Sequence, residues 1–106
     1  MITEQEFRQI VTRRGSMLKL IRQGHEQQLE RMNDSQLQEL MRDIRSNMSS
    51  RQVMTMLQDL QMLNYLTFEL SFSDELERYV AKQIMLTAAG TALVARRVDT
   101  DEVRFS

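Results

Sequence analysis

Apolar residues in the first third of the chain recur at helical spacing. They are Phe7, Val11, Leu18, Ile21 and Met32. Thr3 and Glu6 stand three positions apart just before this stripe, which is the spacing of a capping box at a helix N-terminus. We therefore predict a first helix that begins at Thr3. A break or bend near Gly24 is expected, because glycine inside a helix costs about 1 kcal/mol relative to alanine.

The segment "MNDSQLQELMRDIRSN" predicts a second, shorter helix. Asn33, Asp34 and Ser35 are all suitable N-cap residues. The apolar residues that come after them form one narrow stripe, consisting of Leu37, Leu40, Met41, Ile44 and Met48. Ser49 or Ser50 can then cap a third helix, since serine oxygens accept hydrogen bonds from the free N–H groups of a first turn.

The stretch "SSRQVMTMLQDLQMLNYLTF", residues 49–68, predicts a third helix that is apolar around most of its circumference. At about 100° per residue, its core stripe comprises Val53, Met56, Leu57, Leu60 and Leu63. Met62 and Leu66 point almost the opposite way. Such a helix must be buried on more than one side. Either it is the central helix of the domain, or a partner covers part of its surface.

The segment "FSDELERYV" predicts a fourth helix, with Ser73 as N-cap and three acidic residues in its first turn. It is expected to end near "ARRV". The chain has no proline and only three glycines, a composition typical of helices. We therefore predict an all-α fold, a four-helix bundle or orthogonal helical domain over residues 1–98 with a tail over residues 99–106. A break near Gly24 would make five helices.

Composition excludes several classes of protein. The chain has no cysteine, which excludes disulfides and thiolate chemistry. Fourteen basic residues against fifteen acidic ones give a net charge of −1, without the basic excess of a non-specific nucleic-acid binder. The start does not resemble a signal peptide, and the longest uncharged stretch, residues 83–95, is shorter than the roughly 20 residues of a membrane span. We expect a soluble, cytoplasmic protein.

No pattern in the sequence indicates catalysis, a cofactor or a metal. His25 is the only histidine, and neither an HExxH motif nor a second histidine accompanies it. No glycine-rich phosphate loop or Ser/His/Asp set is visible. We therefore predict a non-enzymatic protein with no catalytic, cofactor-binding or metal-binding residues.

The function predicted first is binding of another protein through an apolar, methionine-rich helical face, as an adaptor, chaperone, inhibitor or regulatory subunit. Methionine side chains repack easily around different partners, and the chain has nine of them. The predicted partner-binding residues are Met54, Met62, Tyr65, Leu66, Arg13 and Arg14. The two arginines would steer an acidic partner. A homodimer is also expected, in which the apolar stripe of the first helix packs against the same stripe of a second copy. Arg14, His25 and Gln28 interrupt this helical seam and would set the register of the two helices.

The alternative prediction is a dimeric helix-turn-helix regulator that binds DNA. In "LQELMRDIRSNMSSRQVMTMLQDL" the second and third helices would form the motif, and Arg51, Gln52 and Thr55 would face the DNA. Three features oppose this interpretation. Asp59 lies further along the same polar strip, the turn has no glycine, and the net charge is slightly negative. The protein-binding function is therefore preferred on the sequence.

Overall fold

A computed structural model describes residues 2–27 and 32–105 of the chain. The elements, in order, are α1 (Glu4–Glu26), α2 (Asp34–Asp43), α3 (Ser50–Met62), β1 (Leu66–Ser73), β2 (Arg78–Leu86) and α4 (Ala88–Val94). The two strands form an antiparallel hairpin. The predicted all-α bundle is therefore wrong, because the chain has an α+β fold with three helices, a hairpin and a short last helix.

The first three helices begin where their capping residues predict. The Thr3 side chain accepts a hydrogen bond from the Glu6 N–H at 3.1 Å. Asn33 caps α2 and Ser49 caps α3, each in a reciprocal capping box. These signals are local, so the sequence reveals them without knowledge of the fold. Helix α1 runs through Gly24 and ends at Glu26, and the residues described between it and α2 contain no further helix.

Helix α3 ends at Met62, whereas the sequence predicts a helix through residue 68. Asn64 adopts a left-handed conformation (φ 68°) just beyond the helix. The Asn64 and Tyr65 N–H groups donate to carbonyls of the last turn, both at 3.0 Å, which is the pattern of a Schellman motif. Beyond this stop, apolar residues alternate with polar ones in "LTFELSFS", the period of a strand with one apolar face.

The predicted fourth helix at Ser73 is also wrong, because Ser73 is the last residue of β1 and caps a turn. Its hydroxyl oxygen accepts a hydrogen bond from the Leu76 N–H at 3.2 Å. Residues 74–77 form the turn of the hairpin, and Glu77 takes a left-handed conformation (φ 52°). Serine bonds in the same way to the third residue of a helix and to that of a turn. The serine cap predicted from the sequence is therefore present, but it begins the turn before β2 and not a helix.

The hairpin is joined to the helices at the base of β2. The Ile84 N–H donates to the Met32 carbonyl at 3.1 Å, so the residue just before the N-cap of α2 lies against β2. The strand register shifts between Thr67 and Glu69. Gln83 lies opposite this shift with a φ of 52°, and its bulge bends the strand as it enters the core.

One hydrophobic core joins α1, α2, α3 and the base of the hairpin. Its largest fully buried side chains are Met17, Leu18, Ile21, Met32, Leu37, Met41, Leu57, Leu60, Leu66, Ile84 and Leu93. Part of the predicted tail belongs to this core. Val103 is buried, and the Arg104 N–H donates to the Val11 carbonyl at 3.0 Å. Gly15 permits this contact, because a Cβ atom there would overlap the Arg104 carbonyl.

Within the described part of the chain, none of the helices has the length and hydropathy that crossing a bilayer requires.

Gly90 gives a direct test of how α4 packs. A Cβ atom at this position would overlap the Tyr65 carbonyl, which is backbone and has little room to move. Gly90→Ala should therefore lower the free energy of unfolding by about 1–3 kcal/mol, although alanine ordinarily favours a helix over glycine. Denaturant titration measures the change. Ala89→Ser, an exposed neighbour, is the control, and an unchanged Gly90→Ala midpoint would contradict this packing.

Candidate nucleic-acid interface

Helices α2 and α3 contact each other and are joined by a six-residue connection, residues 44–49, and together they make the candidate helix-turn-helix unit. Helix α2 ends in a Schellman motif, with the Arg45 and Ser46 N–H groups donating to carbonyls of the last turn at 2.9 Å. Arg45 occupies the left-handed position (φ 63°) that glycine usually takes. The missing glycine, which opposed this interpretation on the sequence, therefore does not prevent the turn from forming.

Gln38 on α2 holds the connection in place. Its Nε2 donates to the Met48 carbonyl at 2.9 Å, and its Oε1 accepts from the Ser50 hydroxyl at 3.2 Å. Met48 and Val53 are buried beside these bonds in the core. The amide thus joins α2 to the first residue of α3, which gives the N-terminus of α3 a defined direction.

The outward face of α3 carries polar side chains without an acidic group between them. Arg51, Thr55 and Gln58 are exposed and lie four and then three residues apart, so they share one face of the helix. Gln52 is also exposed, but its Oε1 accepts a hydrogen bond from the Ser49 N–H at 2.8 Å as part of the cap. The sequence prediction includes Arg51, Gln52 and Thr55 and omits Gln58. The seven-residue spacing between Arg51 and Gln58, two helical turns, could have placed Gln58 on the same face.

Asp59 lies beside α1, although the sequence places it on the same polar strip. Its carboxylate is 3.8 Å from a guanidinium nitrogen of Arg14. Arg14 also donates to the Glu102 carbonyl at 2.9 Å, and its side chain is only 15% exposed. Arg14 therefore links α1, α3 and the C-terminal segment, and most of it is unavailable to a partner.

A cleft rich in arginine lies between α1 and the connection that precedes α3. Its lining residues are Arg8, Gln9, Thr12, Arg13, Ser16, Ile44, Arg45 and Ser46. None of them is acidic, although Arg8 forms an exposed ion pair with Glu4 at 2.8 Å. Guanidinium groups beside hydroxyl and amide groups are the chemistry that binds phosphate oxygens. Arg13, predicted to steer an acidic partner, is thus placed in this cleft.

The turn of the hairpin has the opposite charge. Asp74, Glu75 and Glu77 lie within four residues and are exposed. At the start of β2, Arg78 donates to the Asp34 carboxylate at 2.9 Å, and Asp34 is 3% exposed. This pair ties the hairpin to the N-terminus of α2, where a negative charge also suits the helix dipole.

The six predicted partner-binding residues do not form one surface. Met62 is 86% exposed at the end of α3, whereas Leu66 is 1% exposed in the core. Met54 and Tyr65 are half-buried and pack against the core. These four were predicted to share one helix, and that helix ends at Met62.

Exposed apolar side chains lie instead on one face of the hairpin. Leu70 and Phe72 on β1 and Tyr79 on β2 are each more than half exposed. The Phe72 and Tyr79 rings meet edge to face with centroids 5.3 Å apart. Sequence reasoning missed this surface, and the period-two alternation of residues 66–73 was the signal that could have found it.

His25 has a structural role at the end of α1. Its Nε2 lies 3.0 Å from the Ile84 carbonyl oxygen, which only accepts hydrogen bonds, so Nε2 carries the proton. Among residues 2–27 and 32–105, no cluster of three or more histidine, cysteine or acidic side chains is suitable for a metal ion. Gln28, predicted to interrupt the helical seam, lies outside the described residues.

No protein family, curated protein or solved structure matches this chain. Its function is therefore argued from the geometry and charge of its own surface.

Gln38→Ala should loosen the helix-turn-helix unit. The Met48 carbonyl would lose its donor, and we expect the free energy of unfolding to fall by about 1–2 kcal/mol. Thermal and denaturant unfolding measure this loss. Glu39→Ala, an exposed neighbour on the same helix, should change stability by less than about 0.5 kcal/mol. Equal effects from the two variants would show that the amide does not hold the connection.

Proposed function

We propose that this chain binds double-stranded DNA through its helix-turn-helix unit, as a regulator acting in the cytoplasm. The observation that carries the proposal is the exposed face of α3. Arg51, Thr55 and Gln58 project there from the second helix of the motif, starting in its first turn. The second helix of such motifs enters the major groove with its N-terminal residues at the base edges.

The side chains of this face suit direct readout of bases. Arginine donates two hydrogen bonds to O6 and N7 of guanine, glutamine pairs with N6 and N7 of adenine, and threonine contacts the methyl group of thymine. We assign these roles to Arg51, Gln58 and Thr55. Gln52 contributes less, because its carbonyl oxygen already caps α3 and only its amide nitrogen remains to bind a base.

The arginine cleft supplies contacts to phosphates. Arg13 of α1 and Arg45 of the connection line it, and Arg45 stands five residues before the first residue of the proposed reading helix. Residues 42–62, which run to the end of α3, carry three arginines and two aspartates, and one of the aspartates, Asp59, faces Arg14. The hairpin, residues 66–86, carries four acidic and two basic residues. The near-zero total charge is therefore the sum of an acidic hairpin and a slightly basic region around α3, which weakens the charge argument against DNA binding.

The hairpin follows α3 directly in the chain. Here Asp74, Glu75 and Glu77 would repel phosphates. We therefore assign DNA contact to α3 and the arginine cleft and leave the hairpin free for another role.

Protein binding is the second candidate function. The observation that favours it is the exposed face of the hairpin, where Leu70, Phe72 and Tyr79 lie together. Exposed apolar groups in one place commonly mark an interaction surface. The two candidates use different surfaces and are compatible in one molecule.

DNA binding can be tested by selecting bound duplexes from a random library and measuring affinity by fluorescence anisotropy. Arg51→Ala should weaken binding of the selected duplex by roughly tenfold or more and relax selectivity at one base pair. Arg13→Ala should weaken binding of selected and unrelated duplexes alike. It should also reduce the slope of log affinity against log salt concentration by about one, the value expected for one lost phosphate contact.

Arg97→Ala is the matched control, since it removes an exposed arginine beyond α4, far along the chain from the proposed interface. Its affinity should stay near that of the unaltered chain. Circular dichroism establishes that each variant keeps its fold. If selection enriches no sequence, or if Arg51→Ala and Arg97→Ala behave alike, DNA binding by α3 is wrong.

A further inference from the structure

We propose that β1 pairs with β1 of a second copy of this chain, which joins two hairpins into one four-stranded antiparallel sheet about a two-fold axis at Leu70. The hairpin gives one molecule only two strands, and a two-stranded ribbon is marginally stable in water. Joining two hairpins gives each β1 strand a second neighbouring strand.

The outer edges of the two strands differ in how they are protected. The edge of β2 is bonded to Met32 through the Ile84 N–H, and it also carries Lys82. Along β1, no backbone group of the described residues bonds to the outer edge between Phe68 and Ser73. The strand has neither lysine nor proline, the residues that usually prevent pairing at an edge. The free edge is therefore that of β1.

The sequence of β1 is complementary to itself when it runs antiparallel about Leu70. In "FELSF", residues 68–72, Leu70 meets Leu70 of the second copy, Phe68 meets Phe72, and Glu69 meets Ser71. Residues directly opposite in antiparallel strands share a face. All the aromatic and leucine side chains thus meet on one face and the polar ones on the other.

The charge and the register of β1 support pairing with a second copy of the chain. Glu69 is the one charged residue of β1, and the pairing places it opposite serine, so the two Glu69 carboxylates are diagonal neighbours about 7–8 Å apart and not directly opposite each other. A shift of one residue would move the apolar set to the opposite face. The register about Leu70 instead places Phe68 of each copy beside Phe72 of the other. On the same face, Phe72 already contacts Tyr79 within its own hairpin.

The acidic turn is consistent with a hairpin used between protein chains. Asp74, Glu75 and Glu77 lie beyond the paired segment at the far end of each hairpin. In the antiparallel arrangement the two turns point in opposite directions. Because they lie roughly 40 Å apart at about 3.3 Å per residue, they do not repel each other across the sheet.

A single cysteine tests the axis, because the natural chain has none. Opposite residues of antiparallel strands have Cα atoms about 4.5–5.5 Å apart, within the range that a disulfide bridges. Leu70→Cys should form a disulfide-linked dimer rapidly under mild oxidation. Leu76→Cys is the matched control, since Leu76 is equally exposed (55% against 53%) but lies in the turn, far from its copy.

The equilibrium is measured by light scattering and sedimentation of the full chain up to the millimolar range. The unaltered chain should dimerise, and Leu70→Lys should raise the dissociation constant at least roughly tenfold, because two lysines would meet at the axis. Leu76→Lys should leave it unchanged. A chain that stays monomeric overturns the proposal. So does a dimer in which Leu70→Cys crosslinks no faster than Leu76→Cys, because another surface would then hold the copies together.

Discussion

The anchoring of Ile84 is the interaction on which the rest of the structure depends. Its side chain is fully buried, its N–H donates to the Met32 carbonyl, and its carbonyl accepts from His25. One residue of β2 therefore satisfies its backbone groups with the end of α1 and with the connection to α2. Burying both backbone groups without such partners would be costly. Because this residue is held, the base of the hairpin is fixed relative to the end of α1 and the start of α2.

The two surfaces that this anchoring separates differ in charge and in polarity. On the outward face of α3 the exposed groups are arginine, threonine and glutamine, and the arginine cleft lies at the connection that precedes this helix. The hairpin exposes aromatic and leucine side chains and ends in an acidic turn. The net charge of the chain is the sum over both surfaces, so it does not indicate the charge of either one. The proposed phosphate binding and the proposed self-association, which require different surface chemistry, use different elements of one small domain.

Several residues that resemble functional groups in the sequence make contacts within the fold. Arg14 holds the C-terminal segment against α1, Gln52 caps α3, and His25 binds a strand carbonyl. The signal in each case was residue type, which does not distinguish a contact within the chain from one with a ligand. Gln58 is the opposite case, because helical spacing alone already grouped it with Arg51 on the exposed face of α3.

The sequence alone determined the starts of α1, α2 and α3, because capping residues act on N–H groups only three positions away. It also determined which faces of these helices enter the core. The tertiary structure decided where α3 stops and which element comes after Ser73. A serine cap and nearby acidic residues are compatible with a helix or a turn, and residues 66–73 suit a strand only when residues 78–86 pair with them. The alternation of residues 66–73 was a local signal for a strand, but pairing with residues 78–86 and packing against the core decide between strand and helix, and both exist only in the folded chain.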